Sequence, residues 1–157
     1  MPVALPSEFL QKIRLQAEKD YPHETCGILT GPVDELGKVA DIFPCRNIQD
    51  EYHAQDPVSF PRTSQTAYFI DPRELLRIQR TAREKKCEMR VIYHSHVDAG
   101  AYFSEEDKRV AASDGMPCYP GVSYLVASVK QQKVEDYKIF FWDEGQKDFM
   151  PGEINLV

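Results

Sequence analysis

No two of the four cysteines stand in a C-x-x-C pair, and no stretch approaches a membrane span. The first absence argues against a zinc ribbon or a thioredoxin-type site and leaves Cys26, Cys45, Cys87 and Cys118 as free, packed thiols. The second argues against a spanning helix, which needs ~20 predominantly apolar residues. Basic residues are also in short supply: 19 Lys and Arg against 25 Asp and Glu give a net charge of -6. Phosphate binding wants a basic face, so this balance argues against nucleic acid as an obligate partner and against anionic membrane surfaces. The opening MPVALPSEFLQ has no basic segment followed by a long apolar run. No signal peptide is therefore expected, and a reducing cytoplasm fits.

Internal repeats, low-complexity tracts and domain boundaries are missing as well. The chain has 157 residues, near the usual length of one domain, so a single domain over 1–157 is expected. A chain of this size buries about 70% of the surface its unfolded form exposes and needs no disulfide to fold.

Ser7 is placed to cap a helix over 7–21, with Phe9, Leu10, Ile13 and Ala17 on one face and Pro22 ending it. TCGILTG at 25–31 reads as a buried strand running into the Gly31-Pro32 turn, with 38–46 as its hairpin partner. Residues 47–66 are polar, carry two prolines and read as a long loop. A loop of that length inside a compact domain is usually functional or mobile, either a lid bringing Tyr52 or His53 near substrate or an oligomer contact. Asp71-Pro72-Arg73-Glu74 starts a helix to about residue 86. MRVIYHSH at 89–96 reads as a buried strand, and Ser104 starts a helix to about 113 that Gly115 stops. A hairpin over 122–129 and 134–142 and a short strand within 147–156 complete a mixed α/β or α+β domain around one sheet.

Of only four histidines, two fall in the triplet His94-Ser95-His96, at the end of a predicted strand. Strand residues i and i+2 share a face, so both imidazoles project together. Asp107, in the first turn of the next helix, can fold back as a third ligand. Two imidazoles and one carboxylate suit zinc, and three protein ligands leave a position open for water, the mark of a catalytic site. A second reading stays open for Asp107, because Ser104-Glu105-Glu106-Asp107 is also a capping box. A nucleophilic water needs a general base, and Glu24 lands beside the histidines if strand 25–31 pairs with strand 89–96. A zinc deaminase is disfavoured: Pro117-Cys118 has no second cysteine of a P-C-x-x-C, and His23-Glu24-Thr25 is not H-x-E.

Glu24, then His94-Ser95-His96, then seven residues to Ser104 and two more to Asp107, resembles the JAMM (MPN+) zinc metalloprotease motif. The segment from Pro22 to Gly31 (PHETCGILTG) resembles that family's first strand. The resemblance spans nearly the whole chain and implies a central, mostly antiparallel sheet flanked by helices, of cytidine-deaminase-like architecture. It implies that His94, His96 and Asp107 hold Zn2+, that Glu24 is the general acid/base and that Ser104 hydrogen-bonds the oxyanion. Cys26 and Gly27 are implied as strand residues, the glycine allowing close packing. Compactness, without long insertions, is similar to small bacterial members. These imply hydrolysis of a peptide or isopeptide bond after the C-terminal diglycine of a ubiquitin-like or sulfur-carrier protein. The alternative is a non-catalytic MPN scaffold with a structural metal. One departure is Val97, where the family commonly has Pro. It bears on the loop 98–103, where Gly100 offers a hinge and Tyr102 or Phe103 either lines a groove or packs inward.

Overall fold

The computed structural model describes residues 2–157. In chain order its elements are β1 (Val3–Leu5), α1 (Ser7–Asp20), β2 (Cys26–Pro32), β3 (Asp41–Cys45), α2 (Gln49–Gln55), α3 (Pro72–Glu84), β4 (Cys87–Val97), α4 (Glu105–Ala111), β5 (Ala112–Ser113), β6 (Met116–Pro117), β7 (Ser123–Lys130), β8 (Lys133–Asp143), β9 (Asp148–Pro151) and β10 (Ile154–Leu156). The central sheet has the order β3-β2-β4-β7-β8-β9. Its pairs are antiparallel except β4–β7, which is parallel. This is the mixed α/β, mostly antiparallel sheet with flanking helices that the sequence implies.

β4 is central and almost wholly buried, so its side chains feed cores on both faces of the sheet. Val91 and Tyr93 face α1, packing with Phe9, Ile13, Leu29 and Leu125. Ile92 faces the other way, into a core that holds Ile78 of α3, Ala111 of α4 and Phe103. By the period of two, His94 and His96 lie on the face of Ile92, above this second core.

Asp71 caps α3 as expected, its side chain accepting from Arg73 N, with Pro72 in the first turn. Four expectations need correction. Ser7 is not the cap of α1: Pro6 occupies that position, and the Ser7 hydroxyl donates to the Val157 carbonyl instead. The helix after Ser104 ends at Ala111, because Asp114 (φ 55°) and Gly115 (φ 73°) form a tight turn that pairs β5 with β6. Residues 47–66 are not loop throughout, since they contain α2, seated by a cluster of Tyr52, Phe60 and Phe69 rings 4.6–5.8 Å apart. The tail carries two short strands, and β10 pairs in parallel with β1, an element with no local signal of its own.

Candidate metal centre

β2 lies antiparallel to β4 with Cys26 opposite His94, so the chain just before β2 passes the end of β4 where the histidines sit. α4 returns over the same face. His94, His96 and Asp107 meet there with their ligand atoms all within 4.8 Å of one another. Each oxygen of Asp107 faces one imidazole: Oδ1 lies 3.1 Å from His94 Nε2, and Oδ2 lies 2.9 Å from His96 Nε2.

The donor set fits a divalent cation on two grounds. His94 is fully buried, and neither of its ring nitrogens makes a hydrogen bond; Nε2 is near Asp107 but misaligned for one. Orphaned buried nitrogens are costly, and a cation between the two groups would satisfy Nε2. His96 has acceptors on both sides, the Gly100 carbonyl 3.0 Å from Nδ1 and Asp107 at Nε2. A neutral ring carries one N–H, so donation to Gly100 leaves a lone pair facing a carboxylate, which a cation again resolves. Outer-sphere bonds like that to Gly100 fix a ligand's tautomer and ring plane. Burial opposes the charge on Asp107, but the two imidazoles, His94 foremost, outweigh it and hold its carboxyl well below the usual range.

The capping-box reading of Asp107 holds as well. Ser104 Oγ accepts from Asp107 N, and Asp107 Oδ2 accepts from Ser104 N, both at 3.0 Å. One carboxylate thus caps a helix and faces two imidazoles. Ser104 uses its oxygen as the cap acceptor, and its hydroxyl proton is left free to donate.

Glu24 is buried, with 5% of its surface exposed. Burial pushes its carboxyl up to about 9; the charge of Asp107 adds to this and Arg62 opposes it. Its backbone is clamped on both sides. Glu24 N donates to the Ser64 carbonyl at 2.7 Å, and the Asn47 amide donates to the Glu24 carbonyl at 2.9 Å. Ser64 is itself held by Asp50, which accepts from its backbone N and its hydroxyl at 2.7 Å, and by His23 Nδ1 at 2.6 Å. The segment read from the sequence as a lid or an oligomer contact also frames Glu24. His53 takes part only through Nδ1, 2.8 Å from the Phe60 carbonyl.

Sequence reasoning missed three of these supporting residues. Ser95, between the histidines, points to the opposite face, where its hydroxyl accepts from Thr25 N at 2.8 Å and ties β4 to the Glu24 segment. Tyr68 stacks on His94 with ring centroids 4.5 Å apart. Asn47 also donates to Ala67 O and accepts from Gln49 N and Phe69 N. Its only local signal is that of an Asn just before a short helix. Asn47→Ala strands four buried backbone partners at once and should cost about 2–4 kcal/mol. The melting temperature should fall by roughly 5–15 °C in a thermal scan; a change within ~2 °C would show that the frame does not depend on it.

Val97 continues β4 and pairs with Val129, so the strand simply runs one residue beyond the histidines. The loop that follows is pinned: Asp98 (φ 53°) accepts from Tyr21 Oη and Gln131 N, and Ser128 Oγ donates to Ala99 O. Of the two rings, Phe103 packs inward, while Tyr102 is half exposed and stands edge-on to His96 at 4.9 Å.

The fold and site together describe a JAB1/MPN-type α/β domain with a His–His–Asp cluster at the end of its central strand. Residues 6–143 match the family described as prokaryotic homologs of the JAB domain, and the chain belongs to that family. It is 24% identical over 140 residues to the CysO-cysteine peptidase of Mycobacterium tuberculosis, covering 87% of this chain and 82% of that one. The fold is similar to a solution structure of a Desulfitobacterium hafniense protein, with TM-score 0.74 and 26% identity over 100% of this chain and 93% of that one. It is also similar to a JAB1/MPN domain protein from Archaeoglobus fulgidus, with TM-score 0.58 and 12% identity over 99% and 98% of the two chains. No helix among the described residues is long and apolar enough to cross a membrane.

Proposed function

We propose that the chain is a zinc-dependent JAMM-type peptidase that cleaves after the C-terminal diglycine of a ubiquitin-like or sulfur-carrier protein. The observation that carries this is the meeting of His94, His96 and Asp107 in one cluster, with both ring nitrogens of the buried His94 left without a hydrogen bond. Relationship to a CysO-cysteine peptidase supports the substrate class.

His94, His96 and Asp107 would hold the zinc. When bound, zinc lowers the pKa of water towards roughly 7 and polarises the scissile carbonyl. Glu24 accepts the proton of the attacking water and hands it to the leaving amine; burial and the Asp107 charge raise its proton affinity, and a bound cation would offset them and free the carboxylate to act as the base. The Ser104 hydroxyl, with its oxygen fixed as a cap acceptor, donates its proton to the oxyanion. Tyr68 and Phe103 shield the inner side of His94 from water.

The test is a ubiquitin-like carrier with a residue appended after Gly-Gly, incubated with the purified protein and read by mass spectrometry. The expected product ends in Gly-Gly. Stripping the metal with a chelator should lower the rate at least ~100-fold, and one equivalent of zinc should restore it. An uncut carrier, or undiminished cleavage by stripped protein, would overturn the proposal. The first outcome with one tightly bound zinc per chain is what the scaffold alternative predicts.

A further inference from the structure

The segment after α2 forms one wall of a groove of about 420 Å³, and α4 forms the other. Asp107 and Arg62 both line it. Its other cation, Arg109, is already engaged by Glu106 through contacts of 3.1 and 2.7 Å. Arg62 has no ion-pair partner among the described residues; its guanidinium makes one 3.3 Å bond, to the Thr66 carbonyl. Its backbone is nonetheless fixed, because the Gln49 amide donates to the Arg62 carbonyl at 2.9 Å and Ser64 is held by Asp50. The side chain is exposed, on the same groove that Asp107 lines.

We infer that Arg62 is a carboxylate-binding subsite that receives the free α-carboxylate of the residue released by cleavage. The inference rests on the peptidase reading above and narrows its substrate to a C-terminal extension, not an isopeptide to a lysine of a larger protein. A guanidinium fork matches a carboxylate with two parallel bonds, whereas an internal peptide carbonyl offers it a single acceptor. Glu106 would repel such a group, but Arg109 neutralises it. The direction of the chain follows from chemistry. On the Gly-Gly side the substrate continues into the folded carrier and presents no chain end. A chain-end carboxylate within reach of the cation that shares a groove with Asp107 therefore belongs to the leaving side, and the released piece is short.

Binding and turnover test this separately. The probe is a short fluorescent peptide ending Gly-Gly-Ala, made as the free acid and as the C-terminal amide. Zinc-loaded Glu24→Gln protein, which should not turn it over, is titrated with both by fluorescence polarisation. The acid should bind about 10-fold or more tighter than the amide. Adding Arg62→Ala should bring that ratio near one, and Arg62→Lys should keep part of it, with melting temperatures unchanged. A ratio near one before the Arg62 change, or an undiminished ratio after it, overturns the subsite. Cleavage of the two peptides by the unmutated protein judges the other reading. Acid preference in binding with no cleavage sinks the peptidase and leaves the subsite standing, whereas equal binding and equal cleavage of acid and amide does the reverse.

Discussion

Replacing Glu24 by Gln should remove between about 10²- and 10⁴-fold of the cleavage rate while the protein still binds one zinc per chain. The amide is isosteric, can keep the buried contacts of the carboxyl, and cannot accept a proton. Glu24 is not among the three clustered ligand residues, so zinc content measured after gel filtration should not move. A second consequence concerns stability of the metal-free protein. The ordinary pKa of the group is 4.5, and in the fold it rises to about 9, chiefly through burial. Above pH 4.5 the unfolded chain releases this proton while the fold retains it, so folding becomes progressively less favourable until about pH 9. At pH 7 the difference is on the order of 3 kcal/mol. Gln carries no such penalty. Metal-free Glu24→Gln should therefore melt higher than metal-free parent at pH 7–8, and the gap should close near pH 5. A variant that cleaves normally would remove Glu24 from the mechanism; one less stable at every pH would show that the carboxylate, not the acid, is what the fold accommodates.

The meeting of these groups was legible because each step uses a short-range rule. Two histidines at i and i+2 on a strand share a face whatever the fold, and the capping pattern at Ser104 locates Asp107 in a first helical turn. Glu24 needed one further fact, the pairing of β2 with β4, and the register of Cys26 opposite His94 supplies it. What sequence reading could not reach is the frame. Asn47 and Ser95 bond backbone groups 23 and 70 positions away in the chain, on Glu24 and Thr25, and Ser64 bonds the His23 ring 41 positions away. Nothing in the composition near those residues reports such partners. Within 47–66 the Asn47 and Gln49 amides turn inward to bond the backbone, although a polar, proline-bearing stretch reads as loop. The hairpin at Asp114-Gly115 is a different kind of miss, since Asp-Gly is a strong two-residue turn signal that the preceding helical pattern masked. β1 and β10 are far apart in the chain and pair with each other, and Ala4 of β1 also bridges Lys38.

Gly27→Ala should strongly destabilise the fold. Gly27 pairs directly with Tyr93 of β4, and the tyrosine ring lies across the glycine. A Cβ at this position would stand 2.1 Å from Tyr93 Cζ and Oη and 2.4 Å from Cε2, well inside contact distance. The ring has nowhere to yield. It is fully buried, and its hydroxyl donates at 2.6 Å to Gln16 Oε1, while the Gln16 amide donates at 2.9 Å to the Cys26 carbonyl. Moving Tyr93 therefore breaks the clip that joins α1 to β2 and β4, in addition to overpacking the core beneath it. Overpacking alone costs ~1–3 kcal/mol, and a lost buried hydrogen-bond pair adds ~1–3 more. A loss of about 3–5 kcal/mol should lower the melting temperature by roughly 10–20 °C. Gly100→Ala is the control: its added Cβ would meet only Tyr102 Cδ1 at 3.8 Å, so it should melt within ~2 °C of the parent. If Gly27→Ala behaves like the control, Tyr93 does not occupy that space. If it unfolds as expected, the glycine in the Thr25-Cys26-Gly27 stretch serves the site without touching it, by letting the strand that follows Glu24 lie flush against the one that ends in His94 and His96.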